Sequence, residues 1–453
     1  MKSKEGIRPS GTAKEEPKNG MMRENYLLKT KNAERLYFEY ARSAPIIDFH
    51  NHLSVADIKS DRRYDDVVSL WLSPDPYKHR LMRICGVEEH YITGGASPLE
   101  KFEKYCEVFP YLAGNPVFDW SRMELSAVFG IEEEINARNA KRIYDQANEM
   151  LASREFSCNG ILSRFGIEYQ SPVATLLEEL SDFDGKTVAP SLRADELLEP
   201  TEDFKRALSA QSGVAIADDD DYFQAISCML DRFAARGCRF ADHSLDAGFF
   251  REDASGKKGE RLIRLGYEYA KRNWTLLLHM NAKRHTSPRL RALAGAAGGF
   301  AAVGESFDLG AVADLLGKME AAGGLPDTVL FPLNMSDQAP MAALQGSFSQ
   351  DGISSKVQLG PAWWWCDHAM GIRNTLDSIA SFGAVSRFIG MTTDSRSILS
   401  FVRHDYFRRL LCTWLDARST EGEWDLPIGM QGEIVKRICY QNAKEKIERG
   451  ISQ

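Results

Sequence analysis

Residues 44–52 read Ala44-Pro45-Ile46-Ile47-Asp48-Phe49-His50-Asn51-His52, an apolar run that turns polar at its end. A short apolar stretch closed by polar groups is the pattern of a buried strand that delivers side chains at its C-terminal edge. Seven further runs of this kind follow, at residues 164–169, 186–190, 238–243, 274–279, 328–332, 356–360 and 387–391. Between most of them lie stretches with helical periodicity, among them residues 221–236 and 309–322, the latter followed by Gly323-Gly324, which suits a helix C-cap. Strands alternating with helices imply parallel neighbours joined by right-handed crossovers. Eight such units most economically close an α/β fold of the (β/α)8, TIM-like barrel type. The competing arrangement is an open doubly wound sheet, which usually carries a Gly-rich phosphate turn after its first strand, and no such turn follows residues 44–52.

One connection outgrows a simple crossover. More than a hundred residues, rich in helix formers and in Trp, Tyr and Phe, separate Leu53 from the second run. A structureless loop of that length is implausible in a compact domain, so a mostly helical insertion packed over the barrel mouth is expected at about residues 53–163. Residues 1–23 mix Lys, Glu, Gly and Pro with few apolar side chains and predict a flexible N-terminal tail. Residues 24–453 then form a single barrel domain.

The 453-residue chain sets 56 Lys and Arg against 64 Asp and Glu, a net charge of −8, and has no basic block. Nucleic acid is therefore not an expected partner, because binding it needs clustered cations that displace counterions. No run approaches the roughly 20 apolar residues needed to cross a bilayer, so no membrane association is expected. The eight cysteines are scattered, with no CxxC pair. Reduced thiols in a cytoplasmic protein fit that usage. A small-molecule substrate is the default, and the aromatic-rich insertion suits either a monomer or a homo-oligomer.

His50-Asn51-His52 carries the most chemistry. Residues two apart on a strand point the same way, so two imidazoles placed so can chelate one divalent cation. A bare His-x-His is more often two unrelated polar residues leaving a strand. Its position at the end of the first strand shifts the balance, since barrel enzymes build their sites at strand C-termini. The same edge gathers Arg193 and Asp195, then Asp242-His243, then His279 with Arg284, and finally Thr393-Asp394-Ser395-Arg396. Any one of these is readily a structural histidine or a helix cap. Four strand ends together converge on one rim, where Asp394, on the strand that neighbours the first in a closed barrel, completes a His/His/Asp metal set. Arg193, Arg284 and Arg396 can each grip a carboxylate through a bidentate fork, which points to an acidic small molecule. Trp363-Trp364-Trp365 is either a sugar-stacking wall or core packing, and alternating geometry keeps all three from facing one cleft. Asp218 to Asp221 read as an acidic helix start rather than a calcium site. No G-x-S-x-G elbow supports a serine hydrolase.

Asp48-Phe49-His50-Asn51-His52-Leu53-Ser54, Asp75-Pro76-Tyr77-Lys78-His79-Arg80, Gly114-Asn115-Pro116, Leu278-His279 with Arg284, Lys356-Val357-Gln358 with Trp363-Trp364, and the block from Ser386 through Thr393-Asp394-Ser395-Arg396 to Arg409 resemble uronate (glucuronate) isomerases. The likeness covers nearly the whole chain after the tail, and the last block is its most specific part. It implies the amidohydrolase superfamily, a distorted barrel with a helical insertion, and interconversion of D-glucuronate with D-fructuronate or of D-galacturonate with D-tagaturonate. It also implies a divalent metal, usually zinc, at His50, His52 and Asp394, with Asp394 as proton shuttle and Arg396 on the substrate. Tyr77 then corresponds to the active-site tyrosine, Arg193 and Arg284 to substrate-binding arginines, and Trp363 or Trp364 to the pocket tryptophan. His279, Asp242 and His243 complete the expected substrate-binding set.

The chain departs from that pattern at Tyr169-Gln170-Ser171-Pro172, where Thr-Asp-Asp-Pro is common, and at Ala241-Asp242-His243-Ser244, where Ser-Asp-His-Gly is usual. Gly304-Glu305-Ser306-Phe307 follows the expected Asp-Ser-Ile only loosely. These changes bear on substrate preference. Two alternatives stand beside isomerisation: a metal-dependent hydrolase on the same fold, and a non-catalytic uronate-binding homologue.

Overall fold

The structure is a computed structural model and describes residues 22–246 and 248–449. The tail expected at residues 1–23 lies almost wholly outside them. The described residues form nine strands: β1 Ile46–Asn51, β2 Ile167–Thr175, β3 Ser191–Arg193, β4 Phe240–Leu245, β5 Thr275–Met280, β6 Ala282–Lys283, β7 Ala302–Val303, β8 Asp327–Pro332 and β9 Val357–Leu359. Seven of them form one parallel sheet in the order β1-β2-β3-β4-β5-β8-β9, and β6 and β7 pair separately and antiparallel. The sheet curls into a TIM-like barrel. Phe49 of β1 meets Phe240 of β4 with ring centroids 5.6 Å apart, although the two strands are not neighbours.

Seven of the eight expected strands appear, with β2 starting three residues later and running on past Pro172, and β3 beginning just beyond residue 190. The eighth, at residues 387–391, is not a strand and is corrected here. Val385–Arg387 is a 3-10 turn, and residues 388–396 run irregularly beside β1. Gly390 (φ 92°) and Asp394 (φ 47°) take left-handed backbone conformations that no regular strand accepts. Side chains replace part of the ladder. The amide of His50 donates to Thr392 Oγ1 (2.9 Å), and that of Thr393 to Asp48 Oδ1 (2.6 Å). Two main-chain bonds complete the seam, Asp394 N to His50 O (3.2 Å) and His52 N to Ser395 O (2.9 Å). On the other side Gln358 of β9 accepts from the amide of Ile389 (2.9 Å). The barrel is thus closed by a segment whose register is held largely by polar side chains.

Between β1 and β2 the chain is mostly helical, its longer helices being Pro76–Ile84, Pro98–Val108, Pro116–Phe129 and Ala140–Leu151. They enclose an apolar cluster of their own around Trp71, Phe102, Tyr105 and Phe109, which reaches the barrel through Ile46, Leu399 and Phe401. The main core lies inside the barrel and under its outer helices, with Leu276, Leu277, Leu278, Val329 and Leu330 fully buried. Asp218 caps the helix Asp219–Ala235 by accepting from the amides of Asp220 and Asp221, as a helix-start reading requires. No helix among the described residues is long and apolar enough to cross a membrane.

Candidate active site

At the C-terminal ends of the strands a cavity of about 520 Å³ is lined by His50, His52, Tyr77, Arg193, Asp242, His279, Arg284, Trp363, Trp364, Asp394 and Arg396, among others. That size lies within the usual range for small-molecule sites. β1 ends there, and its two histidines converge: Asp394 Oδ1 lies 3.4 Å from His50 Nε2 and 3.0 Å from His52 Nε2. Burial opposes the charge on Asp394, yet the two imidazoles hold its carboxyl well below the usual carboxylate range. Burial is also the main influence on His52, pushing it down to about 4. His50 goes the other way. Burial opposes its cation, but the hydrogen bond to Asp394 and the field of Asp242 outweigh that and raise it.

A second cluster shares His50. Asp242, on β4, bonds His279 Nδ1 of β5, and the His279 ring lies 4.7 Å from that of His50. Phe331 stacks on one face of His279 at 4.5 Å, and Trp363 meets its edge at 4.6 Å. Burial opposes ionisation of Asp242, but the charge of His279, their hydrogen bond and the nearby His50 and Arg193 keep it a carboxylate. Two groups, His50/His52/Asp394 and His50/Asp242/His279, thus bring potential ligand atoms within 4.8 Å of one another. Two buried ring nitrogens, His50 Nδ1 and His279 Nε2, have no hydrogen-bond partner. A buried polar atom without a partner is costly unless something binds it. Imidazole nitrogens and carboxylate oxygens suit a divalent first-row metal, so the residues present fit such an ion.

The arginines are mounted on one frame. Asp195 Oδ2 accepts from Arg193 (3.2 Å), Asp195 Oδ1 from the amide of Ser244 (2.6 Å), and the hydroxyl of Ser244 from Arg284 (2.7 Å). Burial and then the like charge of Arg193 lower Arg284. Desolvation also lowers Arg396 at the rim, against the opposing pull of Asp394 and with smaller contributions from the like charges of Arg193 and Arg284. Three guanidinium groups that repel one another at a cavity wall favour an anion between them.

The insertion contributes Tyr77. Asp75 caps the helix Pro76–Ile84 by accepting from the amides of Tyr77 and Lys78, and Pro76 fills its first turn. The Tyr77 hydroxyl donates to Asp367 Oδ2 (3.0 Å), and burial raises it well above the ordinary phenol range. Both Trp363 and Trp364 line the cavity, so the choice between them dissolves. Trp365 stacks on Trp364 (5.0 Å) and packs against Tyr77 (4.9 Å) behind the wall. His243 is a correction. Next to Asp242 on β4, it turns to the opposite side of the strand, where its Nε2 meets the hydroxyl of Tyr269 (3.0 Å) on an outer helix, and it does not line the cavity. The sequence reading missed His285 and Arg291 in the cavity wall, and Asp367 and Arg403 behind Tyr77. Arg403 stood in the quoted terminal block, but nothing local in the sequence ties it to Tyr77.

The family profile described as glucuronate isomerase matches residues 18–265 and 251–446. The chain belongs to the glucuronate isomerase family. A uronate isomerase of Caldanaerobacter subterraneus subsp. tengcongensis is 36% identical over 94% of this chain and 98% of its own length. One from Mannheimia succiniciproducens is 34% identical over 93% and 98%. Among solved structures, the uronate isomerase of Thermotoga maritima superposes with a TM-score of 0.85 at 26% identity, covering 94% of this chain and 99% of that one. The glucuronate isomerase of Caulobacter crescentus shares the fold at a TM-score of 0.85 and 21% identity, over 96% and 98%.

Proposed function

We propose that this chain is an aldose-ketose isomerase of hexuronates, interconverting D-glucuronate with D-fructuronate, D-galacturonate with D-tagaturonate, or both. The observation that carries the reading is the placement of Asp394, held by two imidazoles, in one cavity with Arg193, Arg284 and Arg396. A uronate has a carboxylate at one end and a carbonyl at the other. The arginines take the carboxylate, which orients the opposite end of the sugar toward the histidines. Isomerisation moves a proton between neighbouring carbons through an enediol. Asp394 removes and returns that proton, as a positioned carboxylate within about 3 Å of a carbon acid can. Tyr77 exchanges the hydroxyl protons, and Trp363 and Trp364 exclude water from one side. The imidazole of His279, at the opposite end from the arginines, stabilises the developing oxyanion.

His50, His52 and Asp394 would hold a divalent cation, zinc by family resemblance, and its contribution when bound is to polarise a substrate oxygen. Residues 24–453 are read as one barrel domain whose helical insertion, at about residues 53–163, brings Tyr77 to the mouth. Eight free thiols accord with a cytoplasmic setting.

The test is a ketose assay on both uronates, with and without chelator, alongside lactones and amides as hydrolase substrates. Ketose from either uronate is the expected result. Hydrolysis alone would establish the hydrolase alternative, and calorimetric uronate binding without ketose the non-catalytic one. Asp394→Asn should fold and lose turnover, whereas near-wild-type activity in that variant removes Asp394 from the mechanism.

A further inference from the structure

Behind Tyr77, away from the cavity, lies a buried cluster of five ionisable side chains. Lys78 pairs with Asp75 (2.6 Å) and Glu124 (2.9 Å), and Arg403 pairs with Asp367 (3.2 Å). Arg403 also lies over the ring of Tyr77 (4.4 Å) and that of Trp120 (4.2 Å). All five side chains are almost wholly buried. Two cations, Lys78 and Arg403, face three carboxyl groups, so the cluster is neutral only if one carboxyl keeps a proton. Asp75 and Glu124 share the ammonium of Lys78. Asp367 is met by one edge of Arg403, the hydroxyl of Tyr77 and its own backbone amide.

We propose that Asp367 is a positioning residue that exchanges a proton with Tyr77, making the pair a relay for the hydroxyl protons of the isomerisation. The inference rests on the isomerase reading and deepens it. As the substrate carbonyl becomes a hydroxyl, the Tyr77 hydroxyl turns from Asp367 Oδ2 to the substrate oxygen, its O–H bond breaks and one forms at that oxygen. The O–H bond of Asp367 then breaks and Tyr77 regains its proton. The resulting carboxylate is stabilised by Arg403. When the neighbouring hydroxyl of the enediol becomes the ketone, its proton returns through Tyr77 to Asp367, so nothing is gained or lost over a turnover.

The surroundings support a carboxyl that can work in both forms. Burial pushes Asp367 up to about 7, against the opposing pull of Arg403 and the Tyr77 hydrogen bond and with a further rise from the charge of Asp394. Tyr406, on the same helix as Arg403, and the neighbouring Cys366 are the other titratable groups that sense it. An acid poised near neutral pH is best placed to give and regain a proton.

The test compares wild type, Asp367→Asn, Tyr77→Phe and the double variant on whichever uronate is turned over, measuring kcat and KM from pH 5.5 to 8.5. Asp367→Asn should lower kcat about 100-fold with KM little changed, in keeping with the usual contribution of a general acid or base. It should also abolish the kcat inflection near neutrality. Because Asp367 acts through Tyr77, the double variant should be no slower than Tyr77→Phe alone. Multiplicative losses, or a wild-type pH profile in Asp367→Asn, would overturn the relay. Infrared difference spectra of the wild type against Asp367→Asn give a reading independent of turnover and of how well the variants perform. The protonated carboxyl band should disappear between pH 6 and 8, and a carboxylate throughout would refute the proposal. A wild type that makes no ketose removes the isomerase reading itself, while the infrared band still reports whether Asp367 carries its proton.

Discussion

Substituting Asp48 by Asn tests how the barrel is closed. The Asp48 carboxylate is fully buried and accepts five hydrogen bonds. Oδ1 takes Thr392 Oγ1 (2.9 Å), the amide of Thr393 (2.6 Å) and His404 Nε2 (3.3 Å), while Oδ2 takes Asn51 Nδ2 (2.8 Å) and Thr393 Oγ1 (2.8 Å). An amide oxygen at the first position keeps the first three. The amide nitrogen at the second then faces Asn51 Nδ2, donor against donor, while the Thr393 hydroxyl can turn to accept. One charge-assisted bond is lost and the others weaken, which predicts about 2 to 3 kcal/mol of destabilisation. Asp48→Ala strands Thr393 N, Asn51 and His404 together and should cost about 3 to 5 kcal/mol. Urea unfolding measures both. The pH dependence has a definite sign. Hydrogen bonds from His404, Asn51 and Thr393 outweigh burial and lower Asp48 in the folded state. Its contribution is therefore present above the unfolded carboxyl range, near pH 4, and is lost as pH falls through the lower folded value, so the gap between wild type and variant should narrow in acid. Since Thr393 adjoins Asp394, kcat should fall together with stability, by about 10- to 100-fold if Asp394 moves by an ångström. Destabilisation with an unaltered kcat would refute the claim that this seam positions Asp394, and unaltered stability would refute the hydrogen-bond accounting.

Arg284→Lys keeps the charge but loses the fork fastened to Ser244, so KM for the uronate should rise about 10- to 100-fold with kcat within a few-fold, and an unchanged KM would take Arg284 out of carboxylate binding. Gly390→Ala places a Cβ at φ 92° against the carbonyl oxygen of Ile438, and should destabilise by about 3 kcal/mol in urea unfolding, whereas a wild-type transition would show that residues 388–396 relax freely.

The strands that could be read from the sequence are those whose stability is local and apolar. β5, with Leu276, Leu277 and Leu278, and β8, with Val329, Leu330 and Phe331, lie within a residue of where hydrophobic pattern places them. Residues 387–391 carry the same pattern in Phe388 and Ile389 without forming a strand: the amide of Ile389 donates to the side chain of Gln358, and just beyond, the amide of Thr393 donates to Asp48 while Thr392 accepts from the amide of His50. No window of sequence contains that information, since Asp48 and Thr393 are 345 positions apart. The site divides the same way. His50, His52 and His279 were legible because each lies at or just past the end of a strand, Asp242 because it sits on β4, and Asp394 because it follows an apolar run of strand-like pattern, although that run forms no strand. His243 was misread because adjacency on a strand sends neighbouring side chains to opposite faces, and only one of the pair can serve the cavity. Asp367 and Arg403 were illegible for the reason that makes them informative: their significance lies in a charge count over Asp75, Lys78 and Glu124, which come together only when the insertion docks. A buried cluster with one carboxyl in excess of neutrality is costly to fold, and general stability would be better served by a neutral side chain at position 367. That cost falls at the carboxyl in the cluster that meets the hydroxyl of Tyr77, where a proton held near neutrality is of use.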